Sequence, residues 1–309
     1  MDSEQALEVA REIAVACGEG SVGLESIASR SSNVFLSSTS VIKITGADEP
    51  SRFDREVALA ADLPMGLSAP VLGHGRWASS SYGPVQYVRV ARLPGYSPVM
   101  DLPGIDKPTA VLWAKQATSI LKRLHAWKPS VASSAVLDEP LDHGGFTTRT
   151  RLSQNIDAAS ALDPKGIIPL AVIDGLKDIA AAAPERASAS VPVHADCHWE
   201  NWLIGGGEVT ALLDFEWARF GEPSDDWVFL AGFSGPHRHT VLETIADLVG
   251  PSMNELRRAC EIREASYLVS DLVLALQNPH DPERREALTM VPGLVELTVQ
   301  RAWQQPTTP

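Results

Sequence analysis

The chain has 309 residues, 44% of them hydrophobic, enough for a sizeable core in one large domain or two lobes. Its formal charge of −13 excludes a basic nucleic-acid-binding surface and suits either a cationic small-molecule partner or plain solubility. Cys17, Cys197 and Cys260 are too few and too widely spaced for a disulfide framework, and no signal peptide, long apolar run or lipidation motif is found; the expected setting is a reducing cytoplasm, away from membranes.

Leu7, Ala10, Ile13, Ala14 and Cys17 recur at helical spacing, and Gly18 and Gly20 end that helix. Strands are expected over residues 23–29, 34–37 and 41–44, the first two joined by the polar turn Arg30-Ser31-Ser32-Asn33. A helical pattern opens at Pro50-Ser51 and runs to Leu63, where Pro64 stops it; Ser51 and Asp54 read as its capping pair, and Glu56 lies beside Phe53, Val57 and Leu59. Val85, Tyr87, Val88 and Val90 mark a strand over residues 83–93, ended by Leu93-Pro94-Gly95. Residues 107–127 read as one helix with Ala110, Ala114, Ala117, Leu121 and Leu124 on one face, closing on Leu121-Lys122-Arg123-Leu124-His125. Residues 128–150, broken by Pro and Gly, read as a loop, and residues 166–183 as a helix before Pro184. Two helices follow, around residues 241–248 and 253–276, with Asp271 of the second expected at solvent. Residues 304–309, rich in Pro and Thr, read as a disordered tail.

The densest run of chemistry-bearing residues is His194-Ala195-Asp196-Cys197-His198-Trp199-Glu200-Asn201, followed by Asp214-Phe215-Glu216. It reads H-x-D-x-x-x-x-N, then D-F-E. Phosphoryl transfer from a nucleoside triphosphate to a hydroxyl needs three such groups: a carboxylate to orient the hydroxyl, and an amide oxygen with a second carboxylate to hold magnesium on the phosphates. Trp202-Leu203-Ile204, the turn Gly205-Gly206-Gly207-Glu208 and the apolar run over residues 209–213 read as a β-hairpin. Its open end brings Asn201 beside Asp214, two hard oxygen donors whose remaining coordination water and phosphate would complete.

On these residues the chain resembles the aminoglycoside phosphotransferase family, small-molecule kinases with a protein-kinase-like fold. His198 stands two residues after the aspartate, D-F-E replaces D-F-G, and Gly221-Glu222-Pro223-Ser224-Asp225-Asp226 matches the G-x-P-x-x-D that follows. The resemblance implies an α+β, bilobal protein-kinase-like fold. An N-lobe, residues 1–95, would carry an antiparallel sheet with one key helix and bind the nucleotide; a larger, mostly helical C-lobe, residues 96–303, would hold the catalytic and acceptor groups. Asp196 would orient the acceptor hydroxyl, and Asn201 and Asp214 would bind Mg2+. Lys43, within Val41-Ile42-Lys43-Ile44, resembles the V-A-I-K lysine; fixed by Glu56, it would contact the phosphates of ATP or GTP. The backbone of Ala91 and Leu93 would bond the adenine edge, and Ser31 or Ser32 would cover the phosphates where protein kinases use glycine. Asp226 would bond the catalytic-loop backbone, with His125 and His194 structural.

The acceptor implied is a small-molecule hydroxyl. A cationic, aminoglycoside-like antibiotic leads, which would make the activity one of antibiotic resistance. Choline, homoserine, amino sugars, nucleosides and macrolides stay open. Glu200, Glu216, Glu222 and Asp225 supply negative charge near the motifs. Trp199 and Trp217 read equally as an aromatic wall or as core, Trp202 and Trp227 as core. Two readings of another class remain: a metal-dependent hydrolase with His194, Asp196 and His198 as ligands, and a non-catalytic pseudokinase. No signal of oligomeric state is legible.

Overall fold

A computed structural model of the chain describes residues 1–20, 23–27, 29, 32–47, 52–80, 82–140, 145–163, 166–277 and 281–304, with the backbone alone over 281–288. In chain order the elements are α1 (Ser3–Ala16), β1 (Glu25–Ile27), β2 (Asn33–Leu36), β3 (Ser40–Gly46), α2 (Phe53–Ala60), β4 (Val71–Ser79) and β5 (Gly83–Ala91). Next come α3 (Lys107–His125), α4 (Val131–Asp138), α5 (Arg149–Leu162), α6 (Leu170–Ala182), β6 (Val191–Val193), β7 (Trp202–Gly205), β8 (Glu208–Leu212) and β9 (Arg219–Gly221). The chain closes with α7 (Ser224–Gly232), α8 (Arg238–Val249), α9 (Met253–Gln277) and α10 (Asp281–Thr298). It packs as two units: Met1–Ser97, Trp127–Asp138 and Asn201–Ala218 form the first; Pro98–Ala126, Glu139–Glu200 and Arg219–Pro309 form the second. The first unit therefore holds α4 and the β7–β8 hairpin besides the stretch expected as an N-lobe.

The first unit is built on an antiparallel sheet of order β1-β2-β3-β5-β4. The period of two along β3 decides what each face carries. Ile42 and Ile44 point to one side, where Phe35 and Val85 join Ala6, Val9, Ala10, Ile13 and Ala14 of α1 in a buried cluster. Val41 points to the other, packing against Val88, Val90 and Phe53 of α2. Lys43 has the parity of Val41 and pairs across strands with Val34 and Val88, so it emerges on the α2 face. Each buried Ile of the opposite face contributes roughly 2 kcal/mol, which fixes the register and with it the side on which Lys43 stands.

The hairpin turns through Gly206 and Gly207, both left-handed at φ 62° and 88°, the backbone a two-residue hairpin turn requires. Tyr96 and Ile204 exchange backbone hydrogen bonds at 3.0 and 2.8 Å, which joins the hairpin to the segment after β5. A Cβ on Gly95 would lie 2.4 Å from the Ile204 carbonyl oxygen, so only glycine permits that approach.

The second unit is helical, with α3, α5 to α10 and the small antiparallel pair β6–β9. The α3 helix buries every expected apolar position and also Trp113; Asp106 caps it by accepting from Thr109 N at 2.8 Å. No described helix is long and apolar enough to cross a membrane.

Several local expectations need correction. The α2 helix begins at Phe53 with no side-chain cap and ends at Ala60, short of Leu63; Ser51, expected to cap it, lies outside the described residues. Residues 128–150 are not all loop, since α4 forms within them and α5 starts at Arg149. The α4 sequence, Val-Ala-Ser-Ser-Ala-Val-Leu-Asp, has little amphipathic pattern and folds by packing on α2. The α10 helix keeps Pro292 in its interior, a residue that argues against a helix in sequence because it removes an amide from the ladder. Of the tail, residues 305–309 lie outside the described residues; Gln304 donates its amide to Arg301 O at 2.7 Å.

Glu19, just past α1, ties that helix to the sheet. Its carboxylate accepts from the Ser37 hydroxyl and from Ser40 Oγ at 3.0 Å, and pairs with Arg89 Nη1 at 2.5 Å. Burial pushes the Glu19 pKa up, but the two hydroxyls and Arg89 outweigh it and hold the group below the usual carboxylate range. Its contribution is therefore complete above the ordinary carboxylate pKa and is lost as pH falls through the depressed folded value. Glu19→Gln is expected to cost about 1–2 kcal/mol in urea unfolding at pH 7. The gap from the unmodified chain should close towards pH 3; equal midpoints at pH 7 would show that the tie carries no stability.

Candidate active site

The expected site residues fall into two clusters, one in each unit. In the first, Lys43 Nζ lies 2.9 Å from Glu56 Oε2, 3.2 Å from Glu56 Oε1 and 3.1 Å from Asp214 Oδ1. Three elements converge here: β3 presents the lysine, α2 the glutamate and the end of the hairpin the aspartate. Burial works against the ammonium, yet the charges of Asp214 and Glu56 overcome it and raise Lys43 above the ordinary lysine range. Burial and the charge of Asp214 push Glu56 up, against the pull of Lys43.

Asp214 takes φ 66° and ψ 72°, a left-handed backbone that is uncommon outside glycine and costs about 1 kcal/mol or more. Phe215–Trp217 then makes one 3-10 turn. Leu213 N donates to Asn201 O at 2.8 Å, so the hairpin's open end holds Asn201 next to the residue before Asp214. Burial and the Asp214 charge push Glu216 up to about 7. Three carboxylates, Glu56, Asp214 and Glu216, thus face one ammonium, with Arg52 near Glu216. The buried Asp214 Oδ1 has Lys43 Nζ as its ion-pair partner at 3.1 Å.

These groups fit a magnesium ion: hard oxygen donors, few in number, in surplus negative charge. Among the described residues no three His, Cys, Asp or Glu side chains gather as a metal site. His194 Nδ1, a ligand in the hydrolase reading, accepts from Asp196 N at 3.3 Å.

The other expected nucleotide contacts are placed less closely. Ala91 ends β5, and its N–H already donates to Pro70 O at 2.8 Å, so it is not open to a base. Leu93 packs with Val41 and Leu213 against the Val88 and Val90 cluster. Ser32 is half-buried just before β2, two residues ahead of Val34, the partner of Lys43. Ser31 lies outside the described residues.

In the second unit Asp226, wholly buried, organises the run that begins at His194. Its Oδ1 accepts from Ala195 N at 2.7 Å; its Oδ2 accepts from His194 N at 3.2 Å and meets His125 Nε2 at 2.8 Å. Burial pushes the Asp226 carboxyl up, but His125 first, then His194 and the Ala195 amide, hold it below the usual range. Ala195 is left-handed at φ 62°, so the chain turns sharply into Asp196. Asp196 is half-buried, with Oδ1 3.6 Å from His198 Nε2. Cys197 donates Sγ–H to Asp226 O at 3.2 Å, and burial with the nearby Asp226 and Asp196 charges pushes its thiol up.

Several neighbours differ from expectation. Trp199 is core: fully buried, 6.2 Å from the Trp113 ring, with Nε1 donating to Ser234 Oγ at 2.8 Å. Trp202 and Trp227 are buried as expected. Trp217 lies under the Arg52 guanidinium at 3.7 Å. Glu222 and Asp225 are not available to attract a cation, because Arg263 pairs with both and its Nε reaches Asp225 Oδ1 at 2.9 Å. Asp271 is half-buried. Sequence reasoning missed Arg55, whose only signal is a lone basic residue between Asp54 and Glu56 in a short helix.

The raised Glu216 pKa has a measurable consequence. Between the ordinary value of 4.5 and about 7 the folded chain keeps a proton that the unfolded chain has released. Stability attributable to this group falls as pH rises through that window. Glu216→Gln removes the penalty. Relative to the unmodified chain, its stability should be unchanged at pH 4 and higher by about 1–3 kcal/mol at pH 8. Thermal melts of the nucleotide-free protein at both pH values check this; an equal difference at both would disprove the pKa assignment.

Residues 26–261 match the profile of the phosphotransferase enzyme family, APH. No curated protein matches the chain in sequence. Among solved structures, aminoglycoside 2'-phosphotransferase-IIIa in its GDP complex aligns at 16% identity with a TM-score of 0.68, over 93% of this chain and 98% of that one. The macrolide 2'-phosphotransferase MphH from Brachybacterium faecium aligns at 16% identity and TM-score 0.63, over 92% and 97%. The ADP-bound aminoglycoside phosphotransferase APH(2'')-Ib aligns at 14% identity and TM-score 0.62, over 97% and 99%. These likenesses give the protein-kinase-like fold, an antiparallel sheet in the N-terminal part and helices in the C-terminal part. With the family profile covering most of its length, the chain belongs to the phosphotransferase enzyme family.

Proposed function

We propose that the chain transfers the γ-phosphoryl group of ATP, or of GTP, to a hydroxyl of a small molecule. The observation that carries this reading is the buried Lys43 ammonium between Glu56 and Asp214, a cation kept charged where phosphate oxygens can take it as a partner. Lys43 binds the α/β-phosphates, Glu56 holds it in place, and Ser31 or Ser32 covers the phosphates. Ala91, through its carbonyl, and Leu93 meet the base. Asn201 and Asp214 hold Mg2+, which when bound neutralises charge on the phosphates. Asp196 orients the acceptor hydroxyl and takes its proton as the new O–P bond forms and the bond from the γ-phosphorus to the β–γ bridging oxygen breaks, so that the nucleoside diphosphate leaves. Residues 1–95 act as the nucleotide-binding lobe and 96–303 as the catalytic and acceptor lobe. Solved structures that share the fold are of ADP-bound and GDP-bound enzymes, which supports a nucleotide cosubstrate without choosing the base.

The acceptor reading is a cationic antibiotic, modified in a reducing cytoplasm so that resistance follows. Its support is the overall acidity and the gentamicin and streptomycin complexes of structures sharing the fold. A second reading, a neutral acceptor such as a macrolide or nucleoside, is favoured by one observation: Arg263 already neutralises Glu222 and Asp225.

The test is ADP release from Mg-ATP against a panel of aminoglycosides, macrolides, choline, homoserine, amino sugars and nucleosides. With the acceptor that responds, Asp196→Ala should lower kcat by about a hundred- to ten-thousand-fold while nucleotide affinity holds. Retained turnover in that variant would remove Asp196 from the mechanism. Nucleotide binding without transfer to any acceptor would favour a pseudokinase.

A further inference from the structure

The start of α2 grips the segment that carries Asp214 at more than the Lys43 contact. Arg55 is 7% exposed, and its Nη1 donates to Ala218 O at 2.8 Å and to Val136 O of α4 at 2.6 Å. Three residues earlier, the Arg52 guanidinium carbon stands 3.7 Å over the Trp217 ring. Arg52 and Arg55 thus hold the last two residues of Asp214-Phe215-Glu216-Trp217-Ala218, while Lys43, paired with Glu56, holds the first. A buried guanidinium is costly unless its donors are used, and Arg55 directs Nη1 at two main-chain carbonyls. Main-chain acceptors cannot rotate away as side chains do, so these bonds fix the path of the chain. That path includes Asp214 in its left-handed backbone, a conformation that persists only where its surroundings hold it.

We propose that Arg55, assisted by Arg52, is a positioning residue for the metal ligand of the transfer site. It locks α2 to the 214–218 turn, so that Glu56 and Asp214 close on Lys43 as one body. The inference rests on the proposed reading of Asp214 as a magnesium ligand. Neither arginine is assigned a contact with nucleotide or metal; each acts through the turn.

The test is calorimetric titration of the full chain with ADP, in Mg2+ and in EDTA, together with thermal melts. The unmodified chain should bind ADP more tightly with magnesium than without. In Arg55→Met that magnesium-dependent gain should fall by about tenfold, a typical size for coupling between linked sites. Arg55→Lys, whose ammonium can donate to both carbonyls, should recover most of the gain, and Arg52→Met should lose a smaller part. A merely structural role predicts lower melting temperatures with an unchanged magnesium gain in the folded variants; that result would overturn the proposal. If Arg55→Met does not fold, Arg52→Met decides by the same criterion, and an unchanged gain there overturns it. Equal ADP affinity with and without magnesium in the unmodified chain would instead overturn the metal assignment of Asp214 on which this one stands.

Discussion

One ammonium kept charged inside the protein is the constraint on which the first unit depends. A lysine buried alone gives up its proton, because low-dielectric surroundings penalise charge. Lys43 does not, because Glu56 and Asp214 flank it within about 3 Å. Meeting that condition takes three pieces of chain that are far apart in sequence. The alternation of β3 turns the lysine to the α2 face, the helix brings the glutamate, and the glycine hairpin returns the chain to deliver the aspartate. The arrangement sets three carboxylates around one ammonium, and burial first, then the charge of Asp214, push the Glu216 pKa up to about 7. A cluster in which carboxylates outnumber cations is suited to receive a further cation.

The second unit solves a different problem, holding a loop in an unfavourable backbone. Ala195 sits at φ 62°, where the Cβ crowds the chain at a cost of roughly 1–2 kcal/mol. Asp226 offsets this with bonds to two successive amides, His194 N and Ala195 N. Its second oxygen also meets His125 at the end of α3, so the loop is anchored to a helix with a buried apolar face. Asp226 stays ionised although wholly buried because these donors outweigh the desolvation. The residue between the strained alanine and buried Cys197 is Asp196, and its carboxylate is left half-exposed beside His198.

What the sequence made legible follows from short-range rules. A glycine turn between two apolar runs predicts that Asn201 and Asp214 lie side by side, and the contact found is one residue away, Leu213 N on Asn201 O. The face of Lys43 follows from the parity of Val-Ile-Lys-Ile, and α3 from five apolar positions at helical spacing. The rest was hidden for identifiable reasons. The β4 strand carries Gly73 and Gly75 and no clean alternation; its place comes from long pairing with β5. The α4 and α10 helices lack a strong periodic signal or contain a proline, and packing decides for them. The fate of charged side chains was least legible. Glu222 and Asp225 look like free acidity in sequence, and only the fold shows Arg263 between them. Arg55 drew no reading from the sequence, and only the fold shows its guanidinium on two carbonyls.

The central claim is that the Lys43, Glu56 and Asp214 cluster is the seat of a nucleotide's phosphates and their metal. A crystal structure of the protein with ADP and magnesium tests it most directly. The account predicts a phosphate oxygen within hydrogen-bond distance of Lys43 Nζ and a metal ion on a carboxylate oxygen of Asp214. Density for the nucleotide elsewhere, with Lys43 still held only by its two carboxylates, would contradict it.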